Sequence, residues 1–322
     1  MLPCTVLGST VAERIAALGY DYAAQPKEPV GECNLCGAHG ERVITVARRD
    51  RYGCPASLVV CERCGLGWLS PRMSAVAYTE FYAGVYRPLV SAFHGRRIDA
   101  ATVQAEQREY AVELAGFLAP RLPTTPRTIL DVGGSTGVVA GVLAAGLDAR
   151  ATVLDPAPAE LAVARAAGME TISGFAEEFD PGRRTWDLVL LCQTIDHLLD
   201  VRGTLVALRR MTADGGRAFV DILDVEDALD REGSIEQVVK IDHPYYLAGP
   251  TAAAFFALAG YAIVAERLSG DGHRGFLLAP GPRNEPDWAA LAAGAAKLLA
   301  SSLLPPESRG ARVQPARSHR SA

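Results

Sequence analysis

Between Arg127 and Asp155 the apolar and polar positions fall in blocks that read as strand, turn, helix and strand. Thr128 to Val132 is a short apolar run carrying one carboxylate, Asp131. Gly133-Gly134-Ser135-Thr136-Gly137 interrupts it, Val138 to Ala145 is rich in Ala, Val and Leu, and Ala151 to Leu154 is a second apolar run closed by Asp155. Blocks of these lengths predict a βαβ unit, and the glycines let a ligand approach the amides of the helix N-terminus. The rhythm continues with a helix over Pro158–Ala167, a strand over Glu170–Ser173 and a fully apolar strand over Trp186–Cys192, the kind buried on both faces of a parallel sheet. A helix over Val201–Met211, a strand over Arg217–Leu223, a helix over Thr251–Gly260 and two closing strands over Tyr261–Leu268 and Gly275–Ala279 complete it. Alternation of this kind predicts an α/β fold with helices on both faces of the sheet.

Outside that unit the patterning is sparser. An amphipathic helix is expected around Thr10–Leu18, strands over Val43–Ala47 and Ser57–Val60, and a long helix over Asp99–Leu118 ended by Pro120 and Pro123. Asp287–Leu303 reads as an alanine-rich helix. Pro305–Ala322 is rich in Pro, Arg and Ser without apolar periodicity and is expected to be disordered. The boundaries that follow are an N-terminal arm (1–30), a small cysteine-bearing module (31–72), a helical linker or lid (73–125), a ligand-binding domain (126–281), a C-terminal helix (282–304) and a tail (305–322).

Composition narrows the function classes. The chain has 322 residues, 49% hydrophobic and 21% charged, with 32 basic against 37 acidic side chains and a net charge of −5. A net negative charge gives no overall attraction to nucleic acid or to an anionic membrane. No apolar run reaches the ~18 residues of a membrane span, and Glu13 and Arg14 break the N-terminal apolar run, so a cytoplasmic protein is expected.

Four of the seven cysteines form a pattern: Cys33-Asn34-Leu35-Cys36-Gly37 and Cys61-Glu62-Arg63-Cys64-Gly65. Each C-x2-C turn aims two sulfurs at one centre, and two turns supply the tetrahedral thiolate set that structural Zn2+ takes. Cys33, Cys36, Cys61 and Cys64 are therefore the predicted metal ligands, with no position left open for chemistry. A redox dithiol is the competing reading, but it lacks the thioredoxin-like context such motifs carry. Cys54 is the spare thiol, and Cys192 reads as a small buried apolar residue.

The glycine turn discriminates between nucleotide ligands. A dinucleotide fingerprint needs glycines at i, i+2 and i+5, whereas here they fall at 133, 134, 137 and 141. An acid at the strand end would repel a pyrophosphate but suits a ligand bearing an amino group and a sulfonium. The stretch resembles motif I of the class I S-adenosylmethionine (SAM)-dependent methyltransferases: Asp131, Gly133 and Gly137 match, and Ser135 stands in place of the middle glycine. The cysteine module, then Cys64-Gly65-Leu66, Pro71-Arg72, Phe81-Tyr82 and Tyr86-Arg87, is similar to the N-terminal part of a bacterial methyltransferase group with a zinc-binding module. Some of that group methylate nucleotide-linked deoxysugars at carbon, and others sit in polysaccharide or natural-product pathways.

The resemblance, which runs from about Cys33 to Pro280, implies a seven-stranded Rossmann-like sheet and a set of roles. Gly133, Gly134, Ser135 and Gly137 admit the methionine part, and Asp131 meets its amino group. Asp155, about 20 residues after the turn, holds the ribose hydroxyls. Ala176 and Glu177 flank the adenine beside Phe175, and Gln193 lies beside the methyl donor. Asp196-His197-Leu198 matches the segment after the fourth strand with a shortened acid.

On the acceptor side, His243, His197 and Tyr245 are the candidates for proton transfer and hydrogen bonding; packing roles compete for the tyrosines and for His197. His243 is expected to act as the base and His197 to brace the cofactor loop. The acidic stretch Asp224–Glu236 is expected to cover the mouth. Phe81–Arg87 docks the ribbon onto the main domain or supplies a lid through Tyr82, Tyr86 or Arg87. The function expected is methyl transfer to a small-molecule acceptor. An RNA methyltransferase using Arg42, Arg48, Arg49, Arg51, Arg63 and Arg72 as a grip, a non-catalytic SAM-binding protein and a dinucleotide enzyme are the rivals. Oligomeric state and the atom methylated are left open.

Overall fold

The computed structural model describes residues 9–300 apart from Asp271, so Cys4 and the tail from Pro305 lie outside the described residues. In chain order the strands are β1 (Lys27–Glu28), β2 (Val43–Ala47), β3 (Leu58–Cys61), β4 (Gly67–Leu69), β5 (Arg72–Met73), β6 (Thr128–Val132), β7 (Arg150–Asp155), β8 (Glu170–Ser173), β9 (Trp186–Leu191), β10 (Thr212–Leu223), β11 (Tyr245–Tyr246), β12 (Tyr261–Leu268) and β13 (His273–Pro280). Seven of them form one sheet in the order β12-β13-β10-β9-β6-β7-β8. β8, β7, β6, β9 and β10 run parallel. β13 is antiparallel to both of its neighbours.

The apolar runs explain the layering. In β9, Leu188 to Leu191 are all 0% exposed, which places that strand at the centre with helices on both faces. The helix Val201–Met211 buries Val201, Leu205, Leu208 and Met211 on one stripe, the spacing of an amphipathic surface helix. Strand order reverses between β6 and β9, whose outer neighbours are β7 and β10. A crevice opens at the carboxyl ends of strands where order reverses, and ligands of α/β sheets bind there.

The N-terminal unit is less separate than its sequence suggests. A second sheet has the order β11-β4-β3-β2, so a strand from residues 245–246 completes the cysteine module, pairing Tyr245 with Trp68. Cys33, Leu35, Leu66 and Trp68 share one apolar core with Val132, Leu154 and Trp186. Asn34, between the first two cysteines, donates to Asp200 Oδ1 (2.9 Å) and accepts from Arg202 N (3.0 Å) at the start of the helix Val201–Met211.

Three helices, Ala75–Gly84, Tyr86–His94 and Ala100–Leu118, bridge β5 and β6 in the chain. The acidic stretch is two short helices, Val225–Glu232 and Ile235–Val238. The expected C-terminal helix is two as well, Trp288–Gly294 and Ala296–Ala300. Among the described residues no helix is long and apolar enough to cross a membrane.

Candidate active site

Two loops meet at the carboxyl ends of β6 and β9, the glycine turn after β6 and the segment from Cys192 to Leu198 after β9, where a Cβ at Gly133 would lie 2.6 Å from Thr194 Cγ2. Asp131 is 2% exposed and its Oδ2 has no hydrogen-bond partner. Burial, with Asp155 and Asp221 nearby, pushes its carboxyl up to about 7. A Cβ at Gly134 would stand 2.7 Å from Asp131 Cγ, so glycine is what lets the turn fold over this acid. Asp155 accepts from Ser135 N (2.9 Å) and Ala157 N (2.8 Å). The Ser135 hydroxyl donates to Glu160 Oε2 at 3.0 Å, and Arg87 of the bridging helix lies 3.8 Å from the other oxygen of Glu160.

Asp131, Asp155 and Asp221 are all buried. Among the described residues, none of them is within ion-pair distance of a cationic side chain. Buried carboxylates without a counter-cation are costly. A ligand carrying an ammonium and a sulfonium relieves that cost, and a pyrophosphate aggravates it. Ala176 is 3% exposed and offers only its backbone. Glu177 Oε2 accepts from the Thr204 hydroxyl at 3.2 Å, while Phe175 is exposed. Gln193 is exposed and has a φ of 51°.

On the same edge of the sheet, His197 ends the short turn Ile195–His197 after β9, and Asp242-His243 lead into β11. The Tyr82 hydroxyl donates to the Asp242 carbonyl at 3.0 Å and lies 2.8 Å from His197 Nδ1. His197 Nδ1 is also 3.0 Å from that carbonyl. The two imidazoles meet edge to face with centroids 4.7 Å apart, and His243 Nε2 lies 3.5 Å from Asp242 Oδ2. Asp242 Oδ1 is buried without a partner. Burial, reinforced by Lys240 and His197, holds His243 well below the usual imidazole range. Burial also lowers His197, against the opposing pull of Asp242. Both rings are thereby kept neutral at neutral pH.

The comparisons with known proteins fall on this edge and its strands. The profile of the family described as "Methyltransferase domain" matches residues 103–266, just over half of the chain. The chain belongs to the class I SAM-dependent methyltransferases. It is 34% identical over 116 residues to a ubiquinone biosynthesis O-methyltransferase of Methylocella silvestris, covering 33% of this chain and 43% of that protein, so it spans less than half the length of that curated relative. It is similar to the crystal structure of an O-methyltransferase family protein from Burkholderia thailandensis (15% identity, TM-score 0.48, 64% of this chain and 63% of that one). It is similar also to a protein from Pyrococcus horikoshii (17% identity, TM-score 0.48, 54% and 91%).

The His197 ring packs against Tyr82, Asp242 and His243. In the methyltransferase one sequence expectation needs correcting. Tyr245 is not beside His243. Successive side chains of a strand point to opposite faces, so it is Tyr246 whose ring comes near His243 (centroids 6.3 Å). The Tyr245 hydroxyl instead meets Arg72 (3.4 Å) and the Leu199 carbonyl (3.3 Å) and belongs to the seam with the cysteine module. In the Phe81–Arg87 cluster Phe81 is buried and packed, whereas the Tyr82 hydroxyl reaches His197.

The cysteine cluster has the arrangement a tetrahedral metal needs. The ligand atoms of Cys33, Cys36, Cys61 and Cys64 lie within 4.8 Å of one another, with Cys33–Cys64 at 3.5 Å and Cys36–Cys61 at 3.6 Å. Four sulfurs about 2.3 Å from a zinc ion make a tetrahedron with edges of about 3.8 Å. The cluster is consistent with a zinc-binding module, and Cys54 stands apart from it.

Proposed function

We propose that this methyltransferase carries the methyl group of SAM to a small-molecule hydroxyl or carbon acid on a sugar, polysaccharide or natural-product intermediate, with Zn2+ on the four cysteines as a structural clip. The observation that carries the reading is the neutral pair of half-buried His197 and buried His243 with Asp242 and Tyr82 on the crevice edge. The curated relative's name, an O-methyltransferase of ubiquinone biosynthesis, supports an acceptor of small size. SAM supplies an electrophilic methyl on sulfur. The protein's part is placement of the acceptor in line, which contributes much of the rate, and removal of its proton.

With SAM bound to supply the methyl group, His243 would take the proton that the acceptor oxygen or carbon gives up on being methylated. Asp242, 3.5 Å away, stabilises the imidazolium that results. His197, held through Nδ1 by the Asp242 carbonyl and Tyr82, fixes the orientation of the pair. The module's arginines support the small-acceptor reading over an RNA grip: Arg51 pairs with Glu232, Arg72 with Glu28, and Arg63 stacks on Trp288. Acceptor-dependent release of S-adenosylhomocysteine (SAH), screened with sugar and phenol hydroxyl compounds and with RNA, is the test. Turnover only with RNA would overturn the proposal.

Two further outcomes concern the cofactor. Asp155→Ala should weaken SAH binding by about 1.5–3 kcal/mol, the worth of hydrogen bonds to a charged group; unchanged calorimetric affinity would remove Asp155 from the site. The Asp131 carboxyl titrates at about 7, and a cationic ligand favours its ionised form. Affinity for SAM should therefore rise with pH up to about 7 and level off above it. Below that point it should fall by at most about tenfold per pH unit. An affinity flat from pH 5.5 to 8 would show that Asp131 does not face the ligand's charge.

A further inference from the structure

The apolar stretch Phe219-Val220-Asp221-Ile222 of β10 carries one carboxylate, 1% exposed. An acid inside a buried strand is tolerated only when its oxygens are bonded, and both oxygens of Asp221 are. Oδ1 accepts the Gln193 amide at 2.6 Å and Oδ2 accepts the Tyr110 hydroxyl at 2.7 Å. Gln193 is a non-glycine residue in the left-handed region, φ 51°, a conformation that persists only where the surroundings enforce it. Its neighbour Thr194 presses on the glycine turn: a Cβ at Gly133 would lie 2.6 Å from Thr194 Cγ2. Tyr110 is itself held, on the helix Ala100–Leu118, by the Arg267 guanidinium 5.2 Å over its ring.

We propose that Asp221, steadied by Tyr110, is a positioning residue for the cofactor: it holds the backbone at Gln193 in its left-handed turn and so sets the loop that closes the crevice against Gly133. This rests on the crevice being the SAM site. The acid does not touch the ligand in this account; it acts through the Gln193 amide.

The test compares Asp221→Ala, Asp221→Asn and Tyr110→Phe in the full chain, with SAH as the probe. Asparagine keeps an oxygen for the Gln193 amide and turns its NH2 toward the Tyr110 oxygen, so it preserves the clamp without the charge. Two quantities are read: the calorimetric Kd for SAH and the amide proton resonance of Gln193, which a short bond to a carboxylate shifts downfield. Asp221→Ala should raise Kd by at least about tenfold, from the loss of a hydrogen bond to a charged group, and move the resonance upfield. Asp221→Asn and Tyr110→Phe should stay within about threefold.

Wild-type affinity in Asp221→Ala overturns the proposal, and so does an Asp221→Asn variant that loses as much as alanine. If alanine does not fold, the asparagine and phenylalanine variants decide alone: losses above about tenfold in Asp221→Asn contradict positioning. A wild-type protein that binds no SAH would sink the cofactor reading instead. An unmoved Gln193 resonance in Asp221→Ala overturns the clamp whatever the ligand.

Discussion

Replacing His243 by alanine is expected to lower kcat for the acceptor by roughly 10²–10⁴, the usual contribution of a positioned general base, while SAH binds as it does to the wild type. Burial keeps the His243 ring in the neutral form that can take a proton, and Asp242 at 3.5 Å offsets the cost of the cation that results. Removing it leaves the cofactor crevice intact, since Asp131, Asp155 and the glycine turn contact other residues. The loss should therefore appear in kcat and kcat/KM together, the signature of a contact made in the transition state. His197→Ala should reduce turnover too, by freeing Asp242 and His243, again with SAH affinity unchanged. Full turnover in His243→Ala would show that placement alone suffices for transfer.

The second large effect concerns the metal. Protein purified without added metal is expected to hold one equivalent of zinc by elemental analysis, and Cys61→Ser should lose it with a large drop in Tm. Structural zinc contributes roughly 10–16 kcal/mol of binding free energy in isolated finger peptides, far more than one hydrogen bond. Here the consequence should travel. β4 of the module pairs with β11, and β11 follows directly on Asp242-His243. Loss of the clip should slacken that strand and lower acceptor turnover as well as Tm, whereas SAH affinity falls less. Metal-free protein with an unchanged Tm would contradict the zinc assignment.

Most of the sheet was legible because its strands are apolar runs separated by glycine and polar turns, as in Thr128–Val132 and Trp186–Leu191. The cysteine tetrad was legible from spacing alone. The joining of the two units was not. A two-residue strand such as Tyr245–Tyr246 carries no periodicity, and its pairing with Trp68 is a tertiary event between residues far apart in sequence.

The Tyr245 assignment failed for the same reason, because the facing of a strand that short depends on register. The pairing of His197 with His243 brings together the ends of two loops, and neither loop's sequence names the other. Asp221 left one signal in the sequence, a lone acid in an apolar strand. Tyr110 left none beyond a helical position.

Calorimetric titration of the zinc-bound protein with SAM, SAH and NAD tests the central claim most directly. The glycine turn with Asp131 and Asp155 predicts saturable one-to-one binding of SAM and SAH, weakened by Asp155→Ala, and no heat from NAD. Tight NAD binding with silent SAM and SAH titrations would contradict the account.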